Sequence, residues 1–400
     1  MVLHPNQSKS VETGAQYRLP STSSIISRNL VKVLPSNGTS FTQNNQITIE
    51  IPSVDFLDCG ASCLSFKIAQ TAGQTLVVDN SQAWIERVRI STGRNEVLCD
   101  IQNYNILNGV VETLLTHQTY KNYAGDILEG LNTDDVGTAG AQRRCIQLLG
   151  GVLDNNQTYF PLKYTNGLII DIFVTSDAKV GGTGLTISDV SYACEFLKMD
   201  AMYTSAFEQQ FLTSGIKYAF DTYTTSQSTI NSTSVNKQIT ENVRSLKTVY
   251  AVQQQSADSL NVFRQARTAS VQWKYGSVYV PAQAVSCADG GAEMFKEVMK
   301  AVNLSADQSY DVDINKADWS DYGDVANTGQ KFIIAQNFEL SPSQSMSGAD
   351  ATRKPLSIAL TYSADGTNNK NPATTAVTLT TFAHYDAIAI FGAQGTQIIY

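Results

Sequence analysis

The stretch that decides the fold runs from Ala83 to Leu115, AWIERVRISTGRNEVLCDIQNYNILNGVVETL. It opens with an alternation. Trp84, Glu86, Val88 and Ile90 fall on one side and Ile85, Arg87 and Arg89 on the other, which is the period-two spacing of a strand. Ser91 to Asn95 reads as a turn, with Gly93 free to take conformations other residues avoid. The period then lengthens. Ile101, Tyr104, Leu107, Val111, Leu114 and Leu115 recur at three- and four-residue steps, which predicts a helix with Asp100 as its cap. A strand, a turn and one good helix thus interrupt a chain otherwise written in Thr, Ser, Val and Asn.

The same unit returns about 190 residues later. WKYGSVYVP (273–281) predicts a strand, CADGG a turn, and AEMFKEVMKAV (292–302) a helix with Ala292, Phe295, Val298, Met299 and Val302 on one side. A second correspondence keeps nearly the same offset: the long strand pattern LTISDVSYACEFLKM (185–199) is matched by LTTFAHYDAIAIF (379–391). Two features in one order at one spacing imply one plan written twice.

Further strand signals fill the rest. QITIEIP (46–52) sets Ile47, Ile49 and Ile51 against polar partners, and SCLSFKIAQ (62–70) sets Leu64, Phe66 and Ile68 against Cys63, Ser65 and Lys67. DAMYTSAFEQQFLTSG (200–215) fits a short helical connector ending at Gly215. Polar stretches at 130–145, 222–240 and 305–330 read as long surface loops. The expected division is an N-terminal arm at 1–40, a first β domain at 41–205, a linker at 206–215 and a second β domain at 216–400. Each domain reads as an all-β, eight-stranded jelly-roll sandwich with a short flanking helix.

Composition agrees with two β cores. Of 400 residues, 42% are hydrophobic and only 16% charged, against the pattern of a helical bundle or a disordered chain. The net charge is −8, yet residues 1–35 carry Lys9, Arg18, Arg28 and Lys32 against Glu12 alone. Four cations over 35 residues fall short of a polybasic tract and read first as a plain flexible terminus, with contact to nucleic acid or an anionic lipid surface as the alternative. There is no secretory signal and no apolar run long enough to span a bilayer, so the chain is expected to be made in a cytosol. The six cysteines, Cys59, Cys63, Cys99, Cys145, Cys194 and Cys287, read as reduced and mostly buried.

Catalytic signals are weak. The chain lacks a Gly-x-Ser-x-Gly elbow, a His-Glu-x-x-His pair and a phosphate-cradling loop. His384 stands two residues before Asp386, on one strand face, a spacing that lets a carboxylate orient an imidazole. DVDINKADWSDYGD (311–324) gathers Asp311, Asp313, Asn315, Asp318, Asp321 and Asp324. It fails as a calcium loop where Lys316 replaces the required Gly and Tyr322 the bidentate acid. No catalytic, cofactor-binding or metal-binding residue is assigned, and no cofactor or small-molecule substrate is expected.

With that layout in hand, the chain resembles the double jelly-roll major capsid proteins of icosahedral DNA viruses, the lineage of tailless phages, virophages, Polinton-like viruses and giant viruses. SYACEFLKMDAMY (191–203) resembles the strand that closes the first roll and enters the linker. FIIAQNFELSPSQSMSGADATRKPLSIALTY (332–362) resembles the late second-roll passage, and TFAHYDAIAIFGAQGTQIIY (381–400) the closing strands. The resemblance implies a non-enzymatic coat subunit that assembles as homotrimers with a near-hexagonal outline and tiles a shell. It implies residence in the virion after assembly in the host cytoplasm or nucleus. The implied partners are copies of itself, minor capsid or penton proteins, and an internal membrane or the genome through the arm. The flanking helices would cover sheet edges and offer defined surfaces to neighbours. The alternative is a viral spike, fibre or lectin-like β-sandwich binding module, with a jelly-roll carbohydrate-active enzyme third.

Overall fold

The computed structural model describes residues 24–71, 82–131, 142–155, 157–180, 183–240, 242–304, 314–319, 331–340, 346–367 and 369–400. The first half holds β1 (Ile25–Val33), β2 (Ser40–Phe41), β3 (Gln46–Ile51), β4 (Phe56–Ala69), β5 (Ile85–Thr92), β6 (Val97–Gln102), β7 (Gln142–Ile146), β8 (Leu168–Val174) and β9 (Thr186–Met199). The second holds β10 (Ile216–Ile230), β11 (Ser234–Ile239), β12 (Leu246–Gln254), β13 (Thr268–Tyr275), β14 (Val278–Ser286), β15 (Ile334–Asn337), β16 (Leu356–Tyr362), β17 (Val377–Gly392) and β18 (Gly395–Ile399).

The two halves share one topology. In the first, one sheet runs β1-β9-β4-β7 and the other β3-β8-β5-β6. In the second, the orders are β10-β17-β12-β15 and β11-β16-β13-β14, the same pattern strand for strand. β2 and β18 are additions, on β9 and β17. Each half is an eight-stranded jelly roll, two antiparallel sheets closed over one core.

Side-chain alternation explains why the sheets stack as they do. The rows Ile47–Ile172–Val88–Ile101 and Ile49–Ile170–Ile90–Cys99 cross the whole β3-β8-β5-β6 sheet, every member buried. Each such aliphatic contributes about 1.5–3 kcal/mol by leaving water. The second roll repeats the device with Val235–Leu360–Val271–Val285. A small feature recurs as well. Leu57 and Phe160 exchange two backbone hydrogen bonds of 2.8 Å, and Leu246 and Ala349, about 190 residues on, exchange bonds of 2.9 and 2.8 Å.

Both flanking helices are present, at Tyr104–Leu115 and Ala292–Ala301, each following the end strand of the equivalent sheet. The expected unit needs correction, however. Val97–Gln102 is a strand, and Asp100 is no helix cap: it grips Arg87 through two bonds of 2.7 and 2.5 Å across the β5–β6 hairpin. The helix starts at Tyr104, and Asn103 stands at its cap in the left-handed region, φ 51°. Ile101 fits both periods, so the helical pattern reads too far back. Likewise 273–281 is not one strand. Gly276, at φ 62°, turns the chain between β13 and β14. Each unit is therefore hairpin plus helix, and the corrected units match better than the expected ones.

Three further readings change. Ile25–Val33, inside the segment expected as an arm, pairs with β9 from Ile25↔Met199 to Val33↔Tyr192, so the first roll reaches back to residue 25. The 222–240 stretch is strand rather than loop: β10 and β11 run through its Thr and Ser, residues at home in half-exposed strands. The connector is a helix from Ala201 to Thr213, longer than the expected linker 206–215. The loops at 130–145 and 305–330 lie mostly outside the described residues.

Candidate functional site

Among the described residues, the candidate pair His384 and Asp386 is divided between other partners. His384 turns to Asp221 of β10, Nε2 to Oδ2 at 3.3 Å, and stacks on Tyr223 with ring centroids 4.7 Å apart. Asp386 accepts from Ser245 Oγ at 2.7 Å and pairs with Lys247 at 3.2 Å, and Lys247 also reaches Asp221 at 2.9 Å. Burial, with the Asp221 carboxylate next to it, pushes the Asp386 carboxyl up. At Asp221 burial acts in the same direction, but hydrogen bonds from His384 and Lys247 outweigh it and hold that group low. This is a satisfied ionic network between β10, β12 and β17.

Of the acidic run, Asp311, Asp313, Asp321 and Asp324 lie outside the described residues. Asn315 and Asp318 satisfy each other, Nδ2 to Oδ2 at 2.6 Å and Asp318 N–H to Asn315 Oδ1 at 3.0 Å. Among the described residues, no three His, Cys, Asp or Glu side chains converge as a metal site. No helix among them is long and apolar enough to cross a membrane. All six cysteines are unpaired, four of them buried and Cys63 and Cys145 half-buried. Burial raises the Cys59, Cys99, Cys194 and Cys287 thiols to about 12.

The surfaces of the rolls are more informative. Inside the chain, the rolls meet through two different faces. The first roll offers β6, its flanking helix and the segments 150–155 and 157–160. The second offers β10 and the loop carrying Phe263. Thr225 Oγ1 donates to Gln102 O at 2.8 Å, Tyr218 OH to Val152 O at 3.1 Å, and Asn155 Nδ2 to Ala219 O at 2.9 Å. The Phe160 ring stands edge-on to Tyr218 and Phe391, with centroids at 5.2 and 5.6 Å. Gly109 lets the fully buried Phe263 ring approach: a Cβ there would lie 3.3 Å from the ring.

Among the described residues, the equivalent faces at the other ends of the chain are more exposed. β1, the counterpart of β10, is exposed along its length except at its two end residues, with Ile26, Leu30 and Val31 in water and Leu34 beyond them. β14, the counterpart of β6, exposes Val278 and Tyr279. The second flanking helix buries only Met294, Val298 and Ala301, whereas the first buries eight residues. The sequence reading placed the helices but missed these strands as surfaces. Its one available signal was the non-alternating apolar content of IISRNLVKV.

No family model and no curated protein matches the chain. Solved structures do. A chain of the PBCV-1 virus capsid superposes with a TM-score of 0.69 at 10% identity, over 96% of this chain and 99% of that one. The Faustovirus major capsid protein gives 0.59 at 9% identity, over 96% and 93%. The mavirus major capsid protein gives 0.55 at 10% identity, over 100% and 97%. The fold is the double jelly roll of these viral capsid proteins, matched from end to end.

Proposed function

We propose that this chain is a major capsid subunit without enzymatic activity, one that self-assembles as pseudo-hexameric trimers to tile the icosahedral shell of a DNA virus. The supporting observation is the double roll itself. The strands of the described residues form two sandwiches of identical strand order, and the solved structures the chain superposes on over more than nine-tenths of both chains are capsid proteins.

Within this reading the domain division falls in the linker helix, the first roll before it and the second after it. Virion residence follows, together with contacts to other shell proteins. Residues 1–23, the part of the expected arm ahead of β1, lie outside the described residues, while Arg28 and Lys32 belong to β1 of the first roll. Native mass spectrometry and electron microscopy of the purified chain test the reading. Trimers or closed shells are expected. A chain that stays monomeric at high concentration and is retained on glycan arrays would instead be the binding module.

A further inference from the structure

Two of the six cysteines stand apart from the rest. Cys59, Cys99, Cys194 and Cys287 are buried, with thiols pushed up to about 12, and burial of that kind keeps them inert. Cys63 and Cys145 are half-buried. β4 and β7 pair Leu64↔Ile146 and Ser65↔Cys145. Leu64, Phe66 and Ile146 fill the core face, so Cys63, Ser65 and Cys145 share the outer one. On that face Cys63 and Cys145 are diagonal neighbours.

The sheet draws this diagonal together. The next diagonal of the same hand, Arg143 to Ser65, is closed by a hydrogen bond from Nη1 to Oγ at 3.1 Å. Cys63 and Cys145 are likewise in hydrogen-bonding contact. Burial first, then the Cys145 thiol, push the Cys63 thiol up, while Lys32 acts the other way. In a regular pair such residues stand about 7–8 Å apart, at the limit of what a disulfide spans. β4 is irregular here: its pairing with β9 shifts register between Asp58 and Cys63 and again between Ser65 and Lys67. Irregularities of that kind increase the local twist. β7 is a short edge strand that pairs with β4 alone among the described residues, so it is free to close on its partner.

We propose that Cys63 and Cys145 form a modification site that oxidises to one intrachain disulfide, stapling β7 to β4. The oxidant is a small disulfide such as oxidised glutathione. The thiolate of one cysteine attacks it and expels one glutathione thiolate; the thiolate of the other then attacks the mixed disulfide and expels the second. The two protein thiols lose two protons and two electrons in all, and one glutathione disulfide becomes two glutathiones. The bond closes the chain between Cys63 and Cys145, which restricts the unfolded ensemble and fixes an edge of the sheet. It concerns one chain alone and does not depend on the capsid reading.

The test treats the purified full-length chain with oxidised glutathione, with dithiothreitol as the reduced control. Intact mass should fall by ~2 Da, and peptide mapping should join the Cys63 and Cys145 peptides. The melting temperature should rise by at least ~2 °C over the reduced chain. Cys63→Ser and Cys145→Ser should each lose the bond and the rise while melting like the reduced parent; Cys63→Ala and Cys145→Ala serve where serine disturbs folding. Six free thiols after oxidation, glutathione adducts that never resolve, or a bond to any other cysteine or to another copy would overturn the pairing. A bond that leaves the melting temperature unchanged would overturn the staple.

Discussion

The two flanking helices follow equivalent strands of equivalent sheets, yet one is sealed and the other open. The first carries Gly109 under the Phe263 ring and buries Tyr104, Leu107, Val110 and Leu114. The second keeps Glu293, Lys296 and Lys300 toward solvent. The chain-order twin of Phe160, an aromatic wedged between the rolls, is Ala349, a methyl group. Topology was duplicated, and side chains diverged according to what covers each copy of the face. The difference separates what holds a roll together from what holds rolls to each other.

The sharpest way to break that distinction is Phe160→Ala. The ring is wholly buried and spans the rolls, so its removal should cost about 3–5 kcal/mol in urea unfolding. A loss below about 1 kcal/mol would mean the rolls are joined only loosely.

A comparable contrast exists between ion pairs. Asp258, its side chain 3% exposed, grips Arg264 at 2.6 Å and braces the loop that presents Phe263. Asp258→Ala leaves a partly buried guanidinium without that partner and should cost about 3 kcal/mol. Asp100→Ala, in an Arg87 pair about one-third exposed, should cost at most about 1 kcal/mol. Equal losses in chemical denaturation would remove the argument that the Phe263 loop is part of the inter-roll clamp.

Next comes the helix pair itself. Gly109→Val crowds a ring that cannot leave, for a loss of about 1–3 kcal/mol. Lys296→Val on the open helix should stay within about 0.5 kcal/mol in the monomer. Thermal melts of both variants read the comparison directly.

These contrasts also show where sequence is eloquent. Strands β3, β5 and the core end of β4 were legible because each has one wet face and one dry one, as in Ile47, Ile49 and Ile51. β1 was not, because both of its faces are wet and its apolar residues obey no period. β6 was obscured by the helix that follows it, and the β10–β11 hairpin by Thr and Ser that look like loop but pack as strand. The partner of His384 was decided by direction rather than spacing. His384 and Asp386 do share a strand, as expected, but the imidazole turns to Asp221 instead. Only tertiary partners decide that.

The smallest predicted effect lies in that network, which joins three strands of the second roll. Asp221 and Asp386 are register partners across β10 and β17, two carboxylates that share Lys247. Burial and the neighbouring Asp221 raise Asp386, so its folded form binds a proton more tightly than its unfolded form does. Its stabilising contribution is therefore complete below the ordinary carboxylate range and fades as pH rises through the raised value. Asp221 is held low, so its contribution is complete above that range and fades only as pH falls through the depressed value. The advantage of the parent over Asp386→Asn should thus shrink as pH rises above the ordinary carboxylate range, while its advantage over Asp221→Asn should hold there and collapse only in acid below that range. Melting temperatures taken across that range settle the order. If the two variants track each other, the carboxylates are not divided into a proton holder and a salt-bridge partner, and His384 and Lys247 serve both alike.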